Sequence, residues 1–185
     1  MTGVQTCALP ISRKNVGVLL EAYRRVLLRM PDAPPLVLAG PAGADSKTIL
    51  AHASDRPLAG RVEFPGYIQN SDREALFRRA LAFIMPSHTE GFGIPALEAM
   101  TLGVPVIAAN RGALPEVVGE AGLLIDPGDA GALALALGRV IGDRALRDQL
   151  REAGWQQAQR FQWSQSAARA RAAWSRAVEH RRHRT

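Results

Sequence analysis

Two glutamates eight positions apart, Glu90 and Glu98, flank a glycine turn in the stretch SHTEGFGIPALEAMTLG, residues 87–103. Gly91 and Gly93 let the backbone come close to a ligand. If a helix starts after them, the N–H groups of Gly91, Phe92, Gly93 and Ile94 have no partner within it. Pro95 suits a first helical turn, and Gly103 suits the position just past a helix end. Free amides at a helix start favour an anion. A carboxylate, by contrast, only accepts, and takes paired hydrogen bonds from neighbouring hydroxyls. A phosphate carried between two polyols meets both demands, as in a nucleotide-sugar. Glu98, one turn into the helix, then faces one polyol, and Glu90, before the turn, faces the other. The bland reading is two solvated carboxylates at a helix start, which the macrodipole also favours.

The flanking elements must hold this turn. Leu81–Met85 before it and 104–109 after it are apolar runs of strand length. Residues 13–30 carry helical spacing at Val16, Leu19, Leu20, Tyr23, Val26, Leu27 and Met30, and Pro31 stops the helix. Leu36–Gly40 and Arg61–Phe64 read as strands, with a helix over 46–53 between them. Ser71 followed by Glu74 predicts a capping box for a helix ending near Ala80. Leu114–Val118 is a short helix and Gly122–Ile125 the last strand, closed by Asp126-Pro127-Gly128-Asp129. Helices follow over 130–142 and 144–160, and a final one begins near Trp163 with a stripe at Ala167, Ala170, Trp174 and Ala177. Strands alternating with helices across short links predict an α/β fold with a Rossmann-like, doubly wound parallel sheet and C-terminal helices.

The segment Met1–Ile11, MTGVQTCALPI, shows no periodicity and no cap, and it resembles the translation of a sequencing adapter. It also lacks the basic start and long apolar core of a signal peptide. Set aside as non-native, it leaves the first, normally central strand of the sheet missing or poorly replaced. It also removes Cys7, the only cysteine, from any disulfide or thiol argument. The expected organisation is a domain over 12–160, with a crossing helix and basic tail over 161–185. The net charge of +6 lies in the tail: from Arg160 onward there are seven arginines and one acid, so residues 1–159 balance to zero. No apolar run approaches the ~20 residues of a membrane span.

Glu90 and Glu98 within EGFGIPALEAM, followed by GVPVIA and LPEVVGEAGLLIDP, resemble the family 4 retaining glycosyltransferases of the GT-B fold. The resemblance covers nearly all of residues 13–178 and includes Arg13-Lys14-Asn15, Phe64-Pro65-Gly66-Tyr67 and Phe161-Gln162-Trp163. It implies a donor-binding domain. Lys14, one of only two lysines, matches the lysine on the donor diphosphate. Glu98 matches the ribose reader, Glu90 the catalytic-site glutamate at the transferred sugar, and Gly91, Phe92, Gly93 and Ile94 the amides on phosphate and sugar. Tyr67, Ile68 and Leu97 fall where the family contacts the base. Arg13 is adjacent to Lys14, although the family's second diphosphate arginine usually lies earlier, after the first strand.

The resemblance further implies transfer with retention of configuration, no metal and no cofactor beyond the nucleotide-sugar itself. It implies an acceptor domain that is absent here, so that the fragment binds donor weakly and does not turn over. The RKN opening suggests a mannosyl donor, GDP-mannose. A cytoplasmic enzyme is expected. For the arginine-rich last helix, packing on the acceptor domain ranks first, a solvated face second, and contact with anionic lipid at the inner membrane face third. Tyr67 and Leu97 are also expected to be partly core, and His88 to be an ordinary loop residue. The rival functions are a GT-B-like epimerase or phosphorylase domain, against which the glutamate spacing argues, and a basic module binding nucleic acid. The latter lacks interleaved aromatic and basic residues, and the domain body is neutral, so no nucleic-acid partner is expected.

Overall fold

The computed structural model describes residues 3–7, 14–41, 43 and 45–182, the first five as backbone. Its strands are β1 (Gly3–Cys7), β2 (Leu36–Ala39), β3 (Val62–Gly66), β4 (Ala80–Met85), β5 (Val106–Ala109) and β6 (Leu123–Ile125). All pairs are parallel, in the order β3-β2-β1-β4-β5-β6. This is the doubly wound order, in which the direction of winding reverses between β1 and β4. The helices are α1 (Val16–Arg29), α2 (Ser46–Ser54), α3 (Asn70–Arg78), α4 (Ile94–Thr101), α5 (Leu114–Val118), α6 (Ala130–Gly142), α7 (Arg144–Ala158) and α8 (Trp163–Arg182).

The central slot is filled, contrary to the expectation that the first strand is missing. Val4–Cys7 pair residue by residue with Leu36–Ala39, and Gly3–Gln5 pair with β4 across one register shift. The physical reason is that β2 and β4 each present a ladder edge whose amides and carbonyls need partners. A short extended segment satisfies both edges without needing a strong side-chain pattern. The domain boundary expected at residue 12 therefore falls after a strand of the sheet. The open edges are β3, which carries Pro65, and β6, only three residues long.

Both faces of the sheet are covered, so its central strands read as continuous apolar runs. Along β4 the side chains alternate: Ala82 and Ile84 join the layer of α1, α2 and α6, while Phe83 and Met85 join that of α4 and α5. In the first layer Leu19, Leu20, Tyr23, Leu133 and Leu137 are buried; in the second, Phe77, Met100, Leu114 and Val118. Phe77 meets Phe83 edge-on, with ring centroids 5.2 Å apart. The expected Ser71 cap is corrected. The helix starts earlier, at Asn70 with Gln69 in the cap position, and Ser71 Oγ donates to Asp72 instead. Glu74 is drawn to Arg78 one turn on, at 2.8 Å, and so does not complete a capping box. Asp129 and Asp143 do cap, accepting from the amides of Ala132 and Leu146.

Two outcomes follow from this packing. Phe83→Ala removes a fully buried ring from the central strand and is expected to cost about 3–5 kcal/mol, measured by urea denaturation. The second concerns Tyr23, whose buried hydroxyl donates to Pro34 O at 2.7 Å. Burial raises its pKa above the ordinary 10.0, with Arg61 opposing. The folded value lies above the unfolded one, so this contribution is intact below about pH 10 and is lost as pH climbs towards the folded pKa. Tyr23→Phe should flatten that alkaline loss in a pH series of melting temperatures, and an unchanged slope would remove Tyr23 as its source.

Candidate functional site

The crevice at a sheet's switch point lies beyond the carboxyl ends of the two strands where the winding reverses, here β1 and β4. Lys14 stands there at the start of α1, and Glu90 in the loop leaving β4. Lys14 Nζ donates to Glu90 Oε1 at 2.5 Å, across 76 positions of sequence, with side chains only 11% and 14% exposed. Asn15, next to Lys14, is left-handed with φ 56° and buried. Asparagine tolerates that conformation better than most residues. Its Nδ2 donates to Pro86 O at 3.1 Å and to Pro127 O at 2.5 Å. One side chain thus ties the start of α1 to the loops after β4 and β6. Ser87, after Pro86, is 1% exposed, and its Oγ has no partner among the described residues.

Gly93 caps α4 with φ 96°. The conformation calls for glycine, and a Cβ there would also lie 2.7 Å from Leu114 Cδ2, which would have to shift. Pro95 sits in the first turn and Gly103 follows the helix with φ 67°. Among the described residues, the amides of Gly91, Phe92, Gly93 and Ile94 find no acceptor. Gly91, Phe92 and Ile94 are exposed, so these amides border solvent.

Glu98, one turn into α4, uses one oxygen and leaves the other idle. Its Oε1 accepts from Arg73 Nη2 of α3 at 3.0 Å, while Oε2 is buried with no partner among the described residues. Beside it lies a cavity of about 580 Å³ between α3, α4 and the start of α8, walled by Phe92, Ile94, Leu97 and Phe161. Phe92 and Phe161 meet edge-on at 5.9 Å. Leu97 is half-buried against the core, as expected. Tyr67 is instead 70% exposed and so is not partly core; it follows the edge strand β3, where nothing covers it. Ile68 is half-buried, and neither Tyr67 nor Ile68 lines this cavity. Arg13 lies outside the described residues. His88 is exposed. Among the described residues, no group of three His, Cys, Asp or Glu side chains could hold a metal ion.

Two residues absent from the sequence reading, Arg73 and Gly112, and one named there only within the Arg13-Lys14-Asn15 motif, Asn15, shape this site. Arg73 lies 25 positions from the Glu98 it holds, and only the fold brings them together. Asn15 follows a lysine at a helix start, where a buried left-handed residue has no sequence signal. Gly112, φ +61°, presses against the backbone of Glu90. Its place between the end of a strand and a proline-started helix was the available clue.

Residues 11–157 match the family described as Glycosyl transferases group 1. A relative among characterised proteins, O-antigen chain mannosyltransferase B of Escherichia coli, is 36% identical over 82% of this chain, which spans 40% of that protein's length. Sucrose-phosphate synthase from Thermosynechococcus elongatus superposes with a TM-score of 0.83 at 29% identity, over 97% of this chain and 46% of that one. The C-terminal domain of a glycosyl transferase group 1 protein from Francisella tularensis superposes with a TM-score of 0.76 at 28% identity, over 85% of this chain and 84% of that domain. The fold is therefore that of the C-terminal domain of GT-B glycosyltransferases, and the epimerase, phosphorylase and nucleic-acid readings are not favoured. With most of its length matched by the family and its architecture shared with that domain, the chain belongs to the glycosyl transferases group 1 family.

Proposed function

We propose that this domain binds a nucleotide-diphosphate-sugar for glycosyl transfer with retention of configuration. The observation that carries the reading is the buried Lys14–Glu90 pair at the switch point, beside unpartnered helix-start amides. The pair holds a cation for the diphosphate and an acceptor for sugar hydroxyls against each other in the free protein. A bound donor takes both: Lys14 and the amides of Gly91–Ile94 meet the diphosphate, and Glu90 turns to the sugar. Glu98, whose Oε2 has no partner among the described residues, accepts from the ribose hydroxyls, and Leu97, Ile68 and Tyr67 are assigned to the base.

The reaction breaks the bond from the sugar's anomeric carbon to the diphosphate oxygen, whose electron pair leaves with the nucleotide. Lys14 and the turn amides stabilise that developing negative charge, which is the role a metal fills in other transferases. Glu90 faces the oxocarbenium-like sugar as an electrostatic and positioning group, and the acceptor hydroxyl bonds to the anomeric carbon on the face the leaving group has just left, passing its proton to the departing diphosphate oxygen. The acceptor's own contacts come from a domain beyond these residues, against which α8 packs. Supporting this, the chain spans 40% of its mannosyltransferase relative, and Ala167, Ala170 and Trp174 of α8 are exposed, Trp174 by 72%. A mannosyl donor is favoured by that same relative, and we take GDP-mannose as the form to test.

Calorimetric titration with GDP-mannose and with GDP tests these roles. Lys14→Met and Glu98→Ala should each weaken both ligands by about 10- to 100-fold, the range for a charged hydrogen bond. Glu90→Gln should weaken GDP-mannose while sparing GDP. A Glu98→Ala variant that binds GDP as tightly as the parent would overturn the ribose assignment. Tighter binding of a UDP-sugar would overturn the choice of base.

A further inference from the structure

Glu90 is gripped at both ends of the residue. Lys14 holds its carboxylate, and the loop between β5 and α5 holds its backbone. Ala113 N–H donates to Glu90 O at 3.4 Å. A Cβ built on Gly112 would lie 2.9 Å from Glu90 O and 3.2 Å from Glu90 N. Both are main-chain atoms, so no side chain can swing away to make room. Two residues on, Leu114 packs under Gly93 at the other end of the same turn. Residues 112–114 thus form a platform beneath the 90–93 turn, and its height under Glu90 is set by the absence of a side chain at 112. A Cβ at Gly93 or Gly119 would meet side-chain atoms only, and at the left-handed Gly60 (φ +72°) and Gly103 (φ +67°) nothing within 4 Å.

We infer that Gly112 is a positioning residue for Glu90, fixing through the backbone the carboxylate that meets both Lys14 and the transferred sugar. The consequence for the sugar rests on the donor-binding reading above; the effect on the Lys14–Glu90 pair does not.

The two lysines of the chain make the geometric part measurable on the protein as it stands. An amine-acylating reagent modifies exposed Lys47 freely and buried Lys14 slowly, and mass spectrometry gives the ratio. Three variants separate contact from backbone strain. Gly112→Ala adds both. Gly112→Asn adds the same Cβ with a residue that tolerates positive φ. Gly60→Ala adds the strain with no contact. In both position-112 variants, at a melting temperature still above the assay temperature, the Lys14:Lys47 ratio should rise about fivefold, as a loss of roughly 1 kcal/mol of pairing gives. In Gly60→Ala it should stay at the parent value. Their affinity for GDP-mannose should fall towards that for GDP, with the GDP affinity within about twofold of the parent. Protection of Lys14 in Gly112→Asn equal to the parent's, or equal loosening in Gly60→Ala, overturns the inference. Release of Lys14 in a protein whose parent binds no donor upholds the positioning and removes the donor reading.

Discussion

The site depends on an ion pair that the sheet order alone makes possible. Lys14 and Glu90 are far apart in sequence and meet because β1 and β4 are neighbours at the switch point. Holding two charges with so little solvent requires good geometry, because the desolvation of each opposes their attraction. That geometry comes from neutral parts. Asn15 anchors the lysine's end of the pair to two loop carbonyls, and the platform after β5 seats the glutamate's end. The apolar layers below keep the strand ends in register, with Ile84 and Phe83 fixing β4 from opposite faces.

In the donor-binding reading, the pairing also accounts for two acids beside the amides proposed to meet the diphosphate. In the free protein Glu90 is matched by Lys14 and Glu98 by Arg73, so neither presents an uncompensated negative charge to an approaching diphosphate. The cations do not have to be recruited from elsewhere, and the basic tail is not needed to explain attraction. The arrangement differs from a simple basic patch. In the donor-binding reading proposed above, a phosphate and its flanking hydroxyls take the place of the internal partners, which selects against a ligand that offers phosphate alone.

Much of this was legible because the turn is written in consecutive residues. Gly91, Gly93, Pro95 and Gly103 mark a turn, a helix start and a helix end by their own conformational limits, and the helix lies where they put it. The apolar runs on either side alternate between two buried layers, which identifies strands in a covered sheet. β1 was not legible, since its pairing is imposed by the edges of β2 and β4 and not by any pattern within Gly3–Cys7. The Ser71 cap failed because the helix begins one residue earlier, with Gln69 in the cap position, and Glu74 pairs with Arg78. Gly112 and Arg73 escaped notice for a common reason: each acts on a residue more than twenty positions away, and what it does is a distance, not a residue type.

The two sheet borders have a consequence for how such a domain behaves in a crowded solution. On one side Pro65 interrupts the outermost strand, withholding an amide from any strand that might align there; on the other, the border strand ends after three residues. Proline and brevity are the devices that keep an open sheet from recruiting a neighbour. Growth by strand addition is disfavoured at both margins, which leaves the helical faces as the more open surface for another chain.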